Sequence, residues 1–291
     1  MAIFKIENEK AKQLSLKKDG FGNEAKLESF FVKNLEELLG VRFLERQYPT
    51  PDGRIDTLGI DENNLPVIIE YKWKEDEDVL SQGLFYYDWL VKNKKHFDLL
   101  VKSKLGDKIK VLWGQPRIIL IAQGFNRYIK AAASQIKNVE LKTYELYEGD
   151  ILHIEREYNS VSEKESAKEK VYSEDKTEYN LTYHLEKTSS ELQKITNDLR
   201  EKILQLPSVE EKLSQKTGIT YRTTKSFTRL EFRKNCVQVL LRNPKYKEDT
   251  SGLVKDISLK GWGYLGMIKL TPEVDLSKVF ELIEASYKST L

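Results

Sequence analysis

The sequence predicts a two-domain protein of the α/β (α+β) class: a central mixed sheet flanked by helices, then a C-terminal α+β domain built on an antiparallel sheet. Three observations predict it. Strand-like and helix-like apolar patterns alternate between residues 41 and 155, the order that builds a sheet covered by helices. Residues 159–180 are roughly half charged, with almost no large aliphatic side chain, too few to form a core, and so read as a linker. β-rich runs between residues 219 and 241 lie between two amphipathic helical patterns. The implied boundaries are 1–157, 158–180 and 181–291.

In chain order, the alternating residues 3–7 read as a short strand. From residue 24 to 39, Leu27, Phe30, Phe31, Leu35, Leu38 and Leu39 recur at helical spacing, and Gly40 stands where such a helix ends. Residues 41–46 form a strand pattern, and 47–53, with Pro49 and Pro51, a turn. The apolar runs 55–60 and 65–69 flank the polar turn Asp61-Glu62-Asn63-Asn64, the signature of an antiparallel hairpin. Acidic residues 75–78 precede a helix over 79–92, where negative charge suits the helix dipole. On that helix Trp89 reads as core packing. A second helix covers 95–105, and residues 117–122 are an apolar run of the kind buried on both faces of a sheet. An Ala-rich helix over 125–136 and strands over 139–147 and 151–155 complete the first domain.

In the second domain Leu185, Leu192, Ile195, Leu199, Ile203 and Leu204 mark a long amphipathic helix, stopped by Pro207. Strand-like runs follow at 219–222, 226–233 and 235–241, the last broken by Asn243-Pro244. The Gly-rich stretch 259–266 leads to a strand over 267–270 and a closing helix over 272–287.

Composition narrows the function classes. Apolar residues make up 40% of the 291, with 15 Tyr, 11 Phe and 4 Trp, so packed cores rather than disorder are expected. The net charge of +2, from 48 basic and 46 acidic residues, neither advertises a nucleic-acid partner nor excludes one that meets a local basic cleft. Cys236 stands alone and forms no internal disulfide, which suits a reducing compartment. No run of 18 apolar residues occurs and residues 1–7 lack the features of a signal peptide, so a cytoplasmic protein with no membrane partner is expected. His96, His153 and His184 show no metal-ligand spacing.

The chemistry concentrates in residues 54–72. Asp56 lies near the start of the first hairpin strand, and Glu70 and Lys72 close the second. Alternation puts Glu70 and Lys72 on one face, and strand pairing brings Asp56 to within roughly 5 Å of them. Two carboxylates that close stay ionised together only with a cation between them. Hard oxygen ligands with room for water and a phosphate oxygen suit Mg or Mn better than Zn. The lysine then orients or helps deprotonate an attacking water, or holds charge developing on phosphate, which is the chemistry of phosphodiester hydrolysis. Glu-x-Lys also occurs at 24/26, 140/142, 174/176 and 210/212, but only Glu70/Lys72 ends an apolar strand after a hairpin with its own aspartate. The competing reading is a solvated strand end whose Glu and Lys pair with each other.

The run Pro51-Asp52-Gly53-Arg54-Ile55-Asp56, the hairpin and Glu70-Tyr71-Lys72 together resemble the PD-(D/E)xK nuclease superfamily, with its restriction-endonuclease-like core. Gln82 and Tyr86, four apart on the following helix, match the QxxxY motif of RecB-like members. The resemblance implies a Mg- or Mn-dependent nuclease acting on nucleic acid, DNA above RNA. In it Asp56 and Glu70 bind the metal, Lys72 serves the attacking water, and Gln82 with Tyr86 supports the site or contacts substrate. A helical glutamate completes the metal site in many members. Glu24 and Glu28 share a helix face, and the setting Glu24-x-x-Leu27 favours Glu24 as the extra ligand. The alternative, from another class, is a nuclease fold that binds nucleic acid or protein without turnover.

The C-terminal half is similar to an uncharacterised domain family found fused to such cores and labelled a predicted transport protein, which implies no residue-level role. Lys225, Arg229, Arg233 and Arg242, with Tyr221 and Phe227, read either as a basic face with aromatic platforms for single strands or, in the favoured reading, as the solvated face of a sheet. Gly261-Trp262-Gly263 fits neither phosphate-cradling pattern. A second copy of the chain, forming a homodimer, is a candidate partner.

Overall fold

The computed structural model describes residues 2–74, 78–136, 138–157, 179–213, 217–242, 251–258 and 263–291. Residues 158–178 of the expected linker, Asn243-Pro244 and Gly261-Trp262 lie outside the described residues. The chain divides into two compact units, drawn from residues 1–36 with 41–173 and from residues 37–40 with 174–291.

In the first unit, β1 (Phe4–Glu7) and β2 (Lys10–Gln13) form an exposed antiparallel ribbon. Helix α1 (Glu24–Lys33) starts where the Asn23 side chain accepts a hydrogen bond from the Lys26 amide. It ends at Asn34, whose φ of −126° leaves the helix and whose side chain donates to Phe30 O. The single helix expected over 24–39 is therefore two, α1 and the short α2 (Leu35–Leu39). Strand β3 (Val41–Thr50) pairs with β4 (Gly53–Asp61), so the turn expected over 47–53 shrinks to Pro51-Asp52. Pro49 is accommodated because β3 is an edge strand, where an absent amide interrupts no ladder.

Then follow β5 (Pro66–Tyr71), α3 (Val79–Lys92), α4 (Lys94–Leu105), β6 (Arg117–Ala122), α5 (Arg127–Ser134), β7 (Val139–Tyr147) and β8 (Ile151–Arg156). The six strands run in the order β3-β4-β5-β6-β7-β8; β5–β6 and β6–β7 are parallel and the other pairs antiparallel. Val79 and Leu80 of α3, with Ile129 and Ala133 of α5, pack on Ile118, Leu120, Ala122 and Leu141. Tyr86, Leu90, Phe97 and Val101 cover Leu44, Leu58, Ile60 and Ile68. Helix α3 lies so close to β6 that a Cβ on Gly83 would stand 2.9 Å from the Ile118 side chain. On α1, Phe31 is buried with its ring 5.7 Å from that of Tyr71.

Arg117 opens β6 as a buried cation. It donates twice to Glu140, at 2.8 and 3.3 Å, and once to Asp61 at 3.2 Å. The other Asp61 oxygen accepts the amides of Asn63 and Leu65, so the polar turn between β4 and β5 is folded inward rather than solvated.

The second unit comprises α6 (Leu181–Leu185), α7 (Ser190–Leu204), β9 (Glu210–Lys212), β10 (Ile219–Arg222), β11 (Ser226–Arg233), β12 (Cys236–Leu241), β13 (Val254–Asp256), β14 (Gly266–Leu270) and α8 (Leu276–Lys288). The sheet is antiparallel throughout, in the order β13-β14-β12-β11-β10-β9. Leu199 and Ile203 of α7 and Val279 and Ile283 of α8 share one core with Tyr221, Phe227, Leu230 and Val239. Tyr221 and Phe227 are fully buried, so no platform for single strands forms there. Arg229 is buried beside Glu231, Arg242 donates to Ser226 O, and the exposed Arg233 pairs with Glu231. Strands β9 and β13 carry too few apolar residues to be read in advance. Among the described residues no helix is long and apolar enough to cross a membrane.

Candidate active site

The first unit brings Asp56, Glu70 and Lys72 to the point where β4 and β5 part. The β4–β5 ladder runs from Ile60/Pro66 to Thr57/Ile69, and the next opposed residues are Asp56 and Glu70. From there side chains take over the backbone's partners. The Asp56 amide donates to Glu70 Oε1 at 3.2 Å, and the Tyr71 amide donates to Asp56 Oδ2 at 3.0 Å. Each carboxylate thus holds the strand that carries the other.

Their surroundings differ. Asp56 is partly open, whereas Glu70 has no exposed surface, and its Oε2 is buried without a hydrogen-bond partner. Burial, and next the nearby Asp56 charge, push the Glu70 carboxyl up to about 9; the Asp56 amide and the Lys72 charge oppose the rise. Glu70 therefore carries a proton at neutral pH in the metal-free protein. Lys72 is half-buried, its amide extends the β5–β6 pairing by donating to Ile121 O, and strand alternation puts its side chain on the Glu70 face.

The helical glutamate turned toward this pair is Glu28. It is buried on α1, and its Oε2 accepts from Arg46 at 3.1 Å and from Gln47 Nε2 at 3.3 Å. The same Gln47 nitrogen donates to Asp56 Oδ1 at 3.1 Å, so one amide ties the helix carboxylate to the strand carboxylate. Glu28 Oε1 is buried without a partner. Glu24, one turn earlier, is exposed, and its charge acts on Tyr144 instead. Gln47 occupies the left-handed region at φ 49°, an uncommon conformation for a residue with a side chain, between the β3 residues paired to Thr57 and Ile55. Neither Gln47 nor Arg46 stands out in the sequence, because each acts through partners 9 to 19 residues away.

Tyr86 reaches the site's other flank. Its hydroxyl accepts from the Arg54 amide at 3.1 Å, two residues before Asp56, and thereby fixes the start of β4. Gly53 makes this approach possible: its φ is 149°, and a Cβ there would stand 2.7 Å from the Tyr86 oxygen. Gln82, one turn earlier on α3, is half-buried.

As a set, Asp56, Glu70 and Glu28 offer hard oxygen donors, and two of those oxygens are buried and unpartnered, which is the condition a hard divalent cation relieves. Among the described residues, no three His, Cys, Asp or Glu side chains converge on one point. In the arrangement described, Gln47 spaces Glu28 from Asp56, and Glu70 is turned to the Asp56 amide. The donor chemistry fits Mg or Mn, and closing the ligand set requires these carboxylates to exchange an amide for the ion.

Residues 182–290 match the family model described as a domain of unknown function (DUF5655). An uncharacterized protein of Haemophilus influenzae is 26% identical over 279 residues, covering 89% of this chain and 91% of that one. Among solved structures, a repair endonuclease from Pyrococcus abyssi aligns at 22% identity and TM-score 0.27, over 41% of this chain and 45% of that one. EndoMS in complex with double-stranded DNA aligns at 17% and TM-score 0.26, over 48% and 62%, and SfsA of Pyrococcus furiosus in complex with Ca2+ at 16% and 0.28, over 54% and 75%. The chain spans less than two thirds of the length of both endonuclease structures. TM-scores this low say nothing about this chain's activity.

Proposed function

We propose that the protein is a divalent-metal-dependent nuclease that hydrolyses phosphodiester bonds of nucleic acid, DNA in the first instance, at the Asp56–Glu70–Lys72 site. One observation carries the reading. Two carboxylates face each other where β4 and β5 part, one of them buried with an unpartnered oxygen, and a lysine directly follows β5. A buried carboxyl held protonated at neutral pH costs stability, and a site that gains a cation turns that cost into affinity.

Asp56 and Glu70 would hold the ion, with Glu28 taking the place of the helical glutamate. Bound there, the ion supplies Lewis acidity toward a phosphate oxygen and an attacking water. The chain's own groups do the remainder. Gln47 and the Tyr71 amide hold both oxygens of Asp56 until an ion takes the place of one of them. Lys72 holds the attacking water or the charge that develops on phosphate. Tyr86 keeps Arg54 and the start of β4 in register with α3.

The test is cleavage of plasmid, single-stranded DNA and RNA by the purified full chain in Mg or Mn, compared with Lys72→Ala. The variant is expected to lose ~100-fold or more in rate with its unfolding transition unchanged, the usual effect of removing a positioned catalytic group. Equal rates in the two proteins would refute the assignment.

A further inference from the structure

Beside the candidate active site, the first unit holds an open cavity of about 320 Å³ lined by Tyr48, Pro49, Thr50, Pro51, Trp89, Asn93 and His96. That volume lies at the small end of the ~300–1,000 Å³ range of ligand pockets. Its walls are flat rings. Trp89 and His96 lie nearly parallel, at 20° with centroids 6.4 Å apart, and the Tyr48 ring is 5.7 Å from Trp89. Trp89, read from the sequence as core packing, does pack against the core with Leu90 and Phe97; it is half-buried, and it also lines the pocket.

The cavity is built from the elements that carry the site. Tyr48 follows Gln47 on β3, Pro51 belongs to the turn that leads into Arg54, and Trp89 lies three residues beyond Tyr86 on α3, about 5 Å of helix rise away. Lys92, Lys94 and Lys95, next to Asn93 in the chain, are exposed; Lys92 pairs with Asp88 and Lys94 lies over the Trp113 ring, while Asp52 is the acid of the β3–β4 turn. Asn93 uses its side-chain nitrogen on Trp89 O and caps no amide of α4, which leaves its oxygen to accept from a ligand.

Aromatic faces beside a lysine-rich stretch of chain, one helical turn from the Tyr86 that holds Arg54, match one ligand chemistry: a heterocyclic base attached to a phosphate backbone. We propose that this cavity takes an unpaired nucleobase of the substrate strand, stacked against Trp89 with Tyr48 and His96. Two or three stacked contacts at one base favour single strands, flaps or unpaired positions over continuous duplex. The inference rests on the nuclease reading only for the identity of the strand; its own readout is binding.

The experiment uses the full chain carrying Lys72→Ala, with and without Trp89→Ala, and as a milder variant the exposed His96→Ala. The probes are a single-stranded oligonucleotide carrying one 2-aminopurine, and a fully paired duplex. The expected result is quenching of the fluorescent base by the Trp89 protein, and ~10-fold weaker binding of the single strand by Trp89→Ala, since stacking is worth ~1–3 kcal/mol per base. His96→Ala should weaken single-strand binding in the same direction. Binding and quenching indifferent to both substitutions would overturn the pocket assignment and leave the nuclease reading standing. Absence of oligonucleotide binding would overturn it as well. Trp89-dependent quenching in a protein whose native form cleaves nothing would support the pocket and refute the nuclease reading.

Discussion

Glu70 offers the sharpest test of the site, because its proton can be counted. The folded protein holds that proton up to about pH 9, whereas the ordinary carboxyl, as in the unfolded chain, loses it at 4.5. Between those values the folded state binds more protons than the unfolded one. Stability contributed by this group is therefore full below the lower value and falls as pH rises toward the upper one. At about pH 8 the loss is bounded by ~5 kcal/mol, at ~1.36 kcal/mol per unit, and local relaxation and water entry reduce it to a few. Glu70→Gln keeps the shape and removes the titration. In metal-free urea denaturation from about pH 5 to pH 8, the wild type should lose ~2 kcal/mol or more relative to the variant. Added Mg or Mn at about pH 8 should restore the wild type and release close to one proton on binding, read by calorimetry in buffers of different ionisation enthalpy; the variant should do neither. Parallel pH profiles for the two proteins would refute the reasoning, since they would mean that burial beside Asp56 does not govern this carboxyl.

Two further outcomes follow from geometry. Arg117→Met strands Glu140 and Asp61 as buried carboxylates and should cost ~3–5 kcal/mol in denaturant unfolding at neutral pH, and a loss under ~1 kcal/mol would show that the triad does not hold the sheet. Gly53→Ala should cost ~1–3 kcal/mol through its positive φ and its clash with the Tyr86 hydroxyl, and distinctly less in a Tyr86→Phe background; equal costs in the two backgrounds would dismiss the contact.

Much of the fold was legible because it rests on local physics. The hairpin of β4 and β5, the buried run of β6 and the helix α3 each follow from apolar spacing within ten or so residues. Misreadings arose where a neighbouring element overrides local preference. Pro49 and Pro51 suggest a turn over 47–53, yet β3 continues to Thr50 because an edge strand tolerates proline. Asn34 ends α1 inside a continuous apolar pattern by capping it from its own side chain. Tyr221 and Phe227 look like surface aromatics beside arginines until the second sheet packs on α7 and α8 and covers them.

The sequence by itself singled out the candidate residues, since Asp56, Glu70 and Lys72 are distinguished from the other Glu-x-Lys pairs by the hairpin that frames them. Only the tertiary structure decided what those groups experience. The proton on Glu70 comes from complete burial beside Asp56. That Glu28, and not Glu24, is linked to Asp56 comes from a bridge through Gln47, 19 residues from Glu28, and the grip of Tyr86 on Arg54 spans 32. Spacing along a chain specifies which face a side chain occupies, but desolvation and long-range hydrogen bonds arise when separate elements close over it, and those set its charge.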